Sequence, residues 1–403
     1  MKCKSCDTPI KQFFSLGQMP LVNSFLKKSE LSKEKKYFLA IGFCPHCYLV
    51  QLMKNIDPKI LYEKYLYLSS TSSSFLAHCE ETALFIKNRF HLSKDSLVFE
   101  IASNDGTQLK FFQKKQIQVL GIDPAENIAA LANKANIPTI PKFFDLALAN
   151  KLKKDKNLSA DIIFGANVLA HVPEINNFLQ GAKTILKSDG TAIFESPYIK
   201  GLFENKFDTI YHEHVFYFSA IALCNVFKKA DLMVYDMDFT PMQGGSFRLY
   251  AAHPGIYKQT ANLTSILKKE KRSGYTKFSS YQKIASNVTL LKIKLLTLLK
   301  KIKKEGKSVA VYGAPAKGVV LLNYFGIDKT YIDFIVDKAP QKQGLYVPGV
   351  HMQVKLPHEI LKRNPDYILI LCWNIADEVM KQLKTYKKNG GKFIIPIPKL
   401  KII

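Results

Sequence analysis

The chain has 403 residues, 47% hydrophobic and 12% aromatic, which exceeds what one core usually supports and predicts two or three domains. A formal charge of +25 raises nucleic acid, anionic lipid or an acidic substrate as partners. However, the lysines are scattered through stretches such as "NKLKKDKN" and "KKIKKEGK", so most read as solvated helix faces rather than a nucleic-acid surface. No apolar run reaches the ~20 residues of a membrane span, "MKCKSCDTPI" lacks the apolar core of a leader, and seven cysteines are too few for a disulfide scaffold; the expectation is a soluble, cytoplasmic protein.

In chain order, the first element is a metal motif. Cys3-x-x-Cys6 and Cys44-x-x-Cys47 are two tight pairs. A two-residue gap lets both sulfurs of a turn face one ion, and four thiolates complete a closed tetrahedron with no position for a reacting water. Structural Zn2+ is therefore expected, in a module over 1–75 with strands of its own between the pairs. Cys79, Cys224 and Cys372 are isolated and read as small core residues.

From about residue 96, short apolar runs alternate with helical segments. "SLVFEIASNDGTQLKFF" predicts strand, turn and helix, and "VLGIDPAENIAALANKA" repeats the unit with Asp123 at a strand end, where a carboxylate can accept from two ribose hydroxyls. "ADIIFGANVLAHV" and "GTAIFESPY" supply further strands of a doubly wound α/β sheet over 76–255. The turn Glu100-Ile-Ala102-Ser-Asn104-Asp-Gly106 has one glycine of the three in a dinucleotide fingerprint. It matches the acidic E-x-G-x-G-x-G turn of class I S-adenosylmethionine methyltransferases, with Ala102 and Asn104 in the first two glycine positions. An acid there repels a pyrophosphate and suits a cationic methionine group. Asn167, at the end of the fourth strand, is read either as a polar cap or as a contact to cofactor or substrate.

"DTIYHEHVFYFS" (208–219) packs His212, Glu213 and His214 among aromatics. Metal site, acid/base centre and polar turn are three readings; the three side chains share a pocket only if the stretch is not extended, because neighbours on a strand diverge. Beyond it, "LLKIKLLTLLKKIKK" predicts an amphipathic helix with Leu290, Leu291, Leu295, Leu298, Leu299 and Ile302 toward a core. A second α/β layer over 256–403 follows, with strands in "KSVAVYG", "YIDFIVD", "YILILCW" and "KFIIPIP". Gly313 to Gly318 contains Lys317 but lacks the Ser or Thr of a P-loop, and its helix start offers amides to a diphosphate.

Together, the two CxxC pairs, "YLYLSSTSSSF", "EIASNDGT", "ANVLAHV", "YHEHVFYFS", "GGSFRLY" and "YGAPAKG" resemble the sugar C-methyltransferase family, which acts at carbon 3 of nucleotide-linked 4-keto-deoxysugars. The resemblance covers essentially the whole chain. It implies a zinc module, a class I methyltransferase domain and a second Rossmann-like domain, with S-adenosylmethionine as methyl donor and a nucleotide-diphosphate-linked keto-deoxysugar as substrate. It places the general base at His214, with Tyr211, Glu213 and His171 beside it, and a further catalytic tyrosine at Tyr65 or Tyr67. Tyr67, Ser246, Arg248, Lys317 and Lys342 are the expected contacts to sugar or diphosphate. Two departures are Ala102, where the family has glycine, and Gln243, where it has histidine before Gly-Gly-Ser; the second falls in the substrate region. A methyltransferase for another acidic carbon or an oxygen, and a zinc-containing nucleic-acid-binding protein, are the alternatives.

Overall fold

The computed structural model describes residues 1–62, 68–71 and 73–403; Tyr65 and Tyr67 lie outside the described residues. Between the two cysteine pairs, β1 (Lys11–Pro20) and β2 (Lys36–Phe43) form an antiparallel hairpin that continues into β3 (Val50–Leu52). The expected strands between the knuckles are thus present.

The central layer contains β4 (Leu97–Ile101), β5 (Gln118–Ile122), β6 (Thr139–Ile140), β7 (Ala160–Ala166) and β8 (Leu186–Pro197), all parallel. After β8 the chain makes the short β9 (Phe216–Tyr217), then returns to the layer as β10 (Met233–Thr240) and β11 (Ser246–Ala252). The spatial order is β10-β11-β8-β7-β4-β5-β6, with β11 antiparallel to both neighbours. Helices cover both faces, which is why "LVFEI" and "DIIFG" are apolar almost without alternation. The chain leaves β4 toward β5 on one side and reaches β7 on the other, so the carboxyl ends of these strands open the crevice where such sheets bind ligands.

Helix Phe278–Lys304 leads to the third sheet. Its buried stripe is Tyr281, Ile284, Val288, Leu291, Leu295, Leu299 and Ile302; Leu290, expected on that face, is 56% exposed because it lies one residue off the i, i+3/i+4 row. The third sheet has the order β14 (Val354–Lys355), β13 (Phe334–Val336), β12 (Val309–Tyr312), β15 (Tyr367–Ile370), β16 (Lys392–Ile395) and β17 (Lys401–Ile402), parallel except for the last.

One departure from a beads-on-a-string arrangement positions the site. β9, from the "YHEHVFYFS" stretch, does not join the central sheet; it pairs with β3 of the zinc module, Val50 opposite Tyr217. The module also reaches the third domain, where Leu26 and Tyr346 exchange backbone hydrogen bonds and Glu34 pairs with His351 at 2.8 Å. No helix among the described residues is long and apolar enough to cross a membrane.

Candidate active site and metal centre

Cys3, Cys6, Cys44 and Cys47 bring their sulfurs within 4.8 Å of one another, the single such cluster of potential metal ligands found among the described residues. Cys3–Cys47 at 3.5 Å and Cys6–Cys44 at 3.4 Å are far too long for disulfides and close to the edge lengths of a thiolate tetrahedron around zinc. Three of the four cysteines are buried, so the four sulfurs fit a structural ion.

At the carboxyl end of β4, Ala102 (φ 59°), Asn104 (φ 50°) and Gly106 (φ 75°) all have left-handed backbones. These are the three glycine positions of the expected acidic turn, so the conformation is kept although only one glycine is. Asn tolerates it, whereas Ala102 bears the strain of its Cβ. The Asp123 carboxylate accepts from the Asn104 amide at 3.0 Å and the Ala125 amide at 2.9 Å, which fixes it at the end of β5 and leaves lone pairs for hydroxyl donors. Glu100 is buried with Oε2 unpartnered, and burial together with Asp123 pushes its carboxyl well above the usual range. A buried carboxyl without a donor fits a site completed by a cationic ligand group. The serine-rich run closes over this turn: Ser69 N–H donates to Asn104 Oδ1 and Ser70 N–H to Asp105 Oδ2. Asn167 also has a positive φ, 55°, and its amide donates to the Glu195 carbonyl at 2.7 Å.

The 208–219 stretch is a 3-10 turn (Phe207–Thr209) followed by a bend, so its side chains are free to converge. His214 Nδ1 lies 2.9 Å from the Thr209 carbonyl, an acceptor that requires the proton on Nδ1. Nε2 is then the basic nitrogen, and the Tyr211 hydroxyl donates to it at 2.7 Å. Burial, with His171 and Lys317 nearby, holds the His214 imidazole well below its usual pKa, so it is neutral at physiological pH. The His171 ring stands edge-on to it at 4.9 Å, itself lowered to about 4 by burial. His214 lines a narrow cavity with Tyr198, Lys206, Tyr217, Gly244 and Trp373, where the central unit meets the third.

Glu213 points elsewhere. Its Oε1 accepts from Asn23 Nδ2 at 2.6 Å in the zinc module, and burial raises its carboxyl to about 7. His212 also faces that module, with Nε2 3.3 Å from the Tyr37 carbonyl. Of the three consecutive polar residues, one enters the cavity and two anchor the turn.

The expected substrate contacts divide similarly. Lys317 stands 5.2 Å from the Trp373 ring; burial lowers its ammonium pKa, buried Asp208 opposing the shift, and its charge reaches the His214 neighbourhood. By contrast, Arg248 is engaged inside the central layer, its guanidinium 2.6 Å from Glu195 and 2.6 Å from Thr82 Oγ1, with His78 on the other Glu195 oxygen at 2.8 Å. Ser246 Oγ donates to the Met242 carbonyl and Lys342 Nζ to the Ala314 carbonyl. Sequence reasoning missed Asn23, Thr209, Tyr217 and Trp373. Trp373 carried a signal, as the one tryptophan of the chain at the end of an apolar run; its indole N–H donates to Asp208 Oδ2 at 2.6 Å and ties the third domain to the turn before His214.

A seven-stranded sheet with one antiparallel strand next to an acidic glycine-type turn and a strand-end aspartate defines an S-adenosylmethionine-dependent methyltransferase. Family models match in three consecutive blocks: a zinc binding domain over residues 3–62, a methyltransferase domain over 78–236 and a C-methyltransferase C-terminal domain over 241–398. The C-methyltransferase NovU of Streptomyces niveus is 32% identical over 392 residues, 96% of this chain and 93% of that protein. The chain belongs to the C-methyltransferase family, with S-adenosylmethionine and a structural zinc as its cofactors. Solved structures overlap the chain in part: an S-adenosylmethionine-dependent methyltransferase from Anabaena variabilis (18% identity, 43% of this chain, 84% of that one, TM-score 0.35) and magnesium protoporphyrin IX methyltransferase from Synechocystis (11%, 44%, 83%, TM-score 0.35).

Proposed function

We propose that the chain transfers a methyl group to carbon 3 of a nucleotide-linked 4-keto-6-deoxysugar, with His214 as the base. The observation that carries this reading is the imidazole itself: neutral, buried, lining the cavity, and fixed by Thr209 in the tautomer that leaves Nε2 basic, with the Tyr211 hydroxyl resting on it. A 4-keto group acidifies the hydrogen on carbon 3, and a base held at the correct nitrogen typically contributes 10²–10⁴-fold to such a proton transfer. The Tyr211 hydroxyl turns aside from Nε2, which takes the proton while the electron pair of the C–H bond moves toward the keto oxygen; the Thr209 carbonyl holds the ring through Nδ1. When bound, S-adenosylmethionine supplies an electrophilic methyl on a cationic sulfur; Glu100, Asp123 and the turn 102–106 are the residues that would hold it. Lys317, beside Trp373 on the third domain, supplies positive charge for the diphosphate, and Tyr65 or Tyr67 remains the family-implied partner at the sugar.

The test is incubation of purified protein with S-adenosylmethionine and a panel of nucleotide-linked 4-keto-6-deoxysugars, read by mass spectrometry. A product heavier by one methylene, with its new carbon at position 3 by NMR, is expected. No product with any panel member, or methylation on oxygen, would sink the reading.

A further inference from the structure

Tyr217 sits in β9, three residues after His214, and its position is set from outside the central sheet by pairing with Val50. Its residue is 6% exposed, its ring centroid lies 6.4 Å from that of His214, and it lines the same cavity. Its hydroxyl is fully buried and its O–H reaches no acceptor. Buried polar groups are almost always paired, and one that is not calls for an explanation in ligand binding or chemistry. Among the cavity-lining residues, Tyr217 is the one that holds such an orphan. The neighbouring phenol, Tyr211, is committed to His214.

We infer that Tyr217 is a catalytic residue whose hydroxyl donates to the substrate oxygen that becomes negative when His214 removes the adjacent carbon-bound proton. This rests on the enolate chemistry proposed above. The balance is simple: the proton goes to His214 Nε2, the C–H electron pair forms the carbon–carbon double bond of the enolate, and the carbonyl π pair settles on oxygen. Tyr217 keeps its proton and shares it. Burial supports this, because it pushes the phenol far above its usual pKa, the Tyr211 backbone only partly offsetting the rise, so the group remains a donor throughout the working pH range. The Tyr211 backbone acts on the phenol oxygen as a donor, so the phenol's own O–H has no acceptor to give up when the oxyanion forms, which is the condition under which such groups are most effective.

The test is Tyr217→Phe, which removes the hydroxyl and leaves the ring. Loss of about 10²-fold in kcat is expected, the scale seen for one oxyanion donor, with KM and S-adenosylmethionine affinity within about threefold. The melting temperature should be unchanged or higher, because an unsatisfied polar group has been removed. A second readout isolates the proton-transfer step: in D₂O without methyl donor, the wild type should exchange the carbon-3 hydrogen of its substrate, and the variant should do so about 10²-fold more slowly. Wild-type turnover with a variant of equal kcat and equal exchange overturns the Tyr217 assignment alone. A wild type that makes no product and shows no exchange with any 4-keto sugar overturns the enolate reading, and the Tyr217 assignment with it. A variant with an equally slow rate but a collapsed melting temperature would show that the hydroxyl serves the fold, and would also refute the assignment.

Discussion

Glu213 is an unusual group to place in a fold: a carboxyl 6% exposed, with one hydrogen bond from Asn23 and no cation among the groups that set its pKa. Burial raises it from an ordinary 4.5 to about 7. In the unfolded chain the carboxyl ionises near 4.5, so between about pH 4.5 and 7 the unfolded state holds fewer protons than the folded one, and stability falls as pH rises through that window. The full difference corresponds to about 3 kcal/mol, and roughly 2.5 kcal/mol of it falls between pH 5 and pH 8. Glu213→Gln keeps an oxygen for Asn23 and cannot ionise. Urea unfolding of both proteins across pH 5 to 8 is the assay. The variant should match the wild type within about 1 kcal/mol at pH 5 and exceed it by about 3 kcal/mol at pH 8, other titrations being common to both. Parallel stability curves would refute the reasoning and mean that the carboxyl is hydrated or ionised in the folded protein.

Further outcomes follow from the same geometry. Ala102→Gly should raise unfolding free energy by about 1 kcal/mol, because φ 59° strains an alanine and not a glycine; calorimetry measures it, and a loss of stability would contradict it. His214→Ala should lower kcat by 10²–10⁴-fold with S-adenosylmethionine affinity unchanged by isothermal titration; full turnover would remove His214 as base. Elemental analysis should give one zinc per chain, and chelation should lower the melting temperature and abolish turnover together, since the module that holds the ion also holds β9. Trp373→Phe leaves buried Asp208 without its indole donor, and should cost about 1.5–3 kcal/mol in urea unfolding.

The parts of the fold that were legible in sequence are those with local causes. The strands "LVFEI" and "DIIFG", the turn at 100–106, Asp123 and the four cysteines each follow from residue type at short spacing, and the domain order followed from resemblance. What was not legible depends on register and long-range pairing. Arg248 looked available for substrate because nothing in "GGSFRLY" reveals that it falls opposite Glu195 once β11 inserts beside β8. Leu290 looked apolar enough for the core, but a helix row admits its neighbour Leu291 instead. In "YHEH" the composition announced a polar site without saying which residue entered it. The 3-10 turn before the bend decides that, by presenting the Thr209 carbonyl to His214 and turning Glu213 toward Asn23.

The same stretch explains why a zinc module with no open coordination position belongs in a methyltransferase. The base proposed at His214 must be held within a fraction of an ångström, and it lies on the excursion between β8 and the helix Ala220–Lys229. The module supplies contacts from one side: β3 pairs with β9, the Leu52 amide donates to the Val215 carbonyl, Tyr37 meets His212, and Asn23 meets Glu213. Trp373 supplies a further contact from the other side, through Asp208. His214 therefore sits between two anchors that belong to different domains, and the contacts that hold it, through Asn23, Tyr37, Leu52 and Trp373, are separate from those of Ser69 and Ser70 to the methyl-donor turn. Loosening either anchor should impair proton removal before it impairs cofactor binding. Asn23→Ala is the cleanest probe, since neither Asn23 nor its partner Glu213 lines the cavity: kcat should fall with the affinity for S-adenosylmethionine intact, and equal losses in both would show that the two sites are not separately supported.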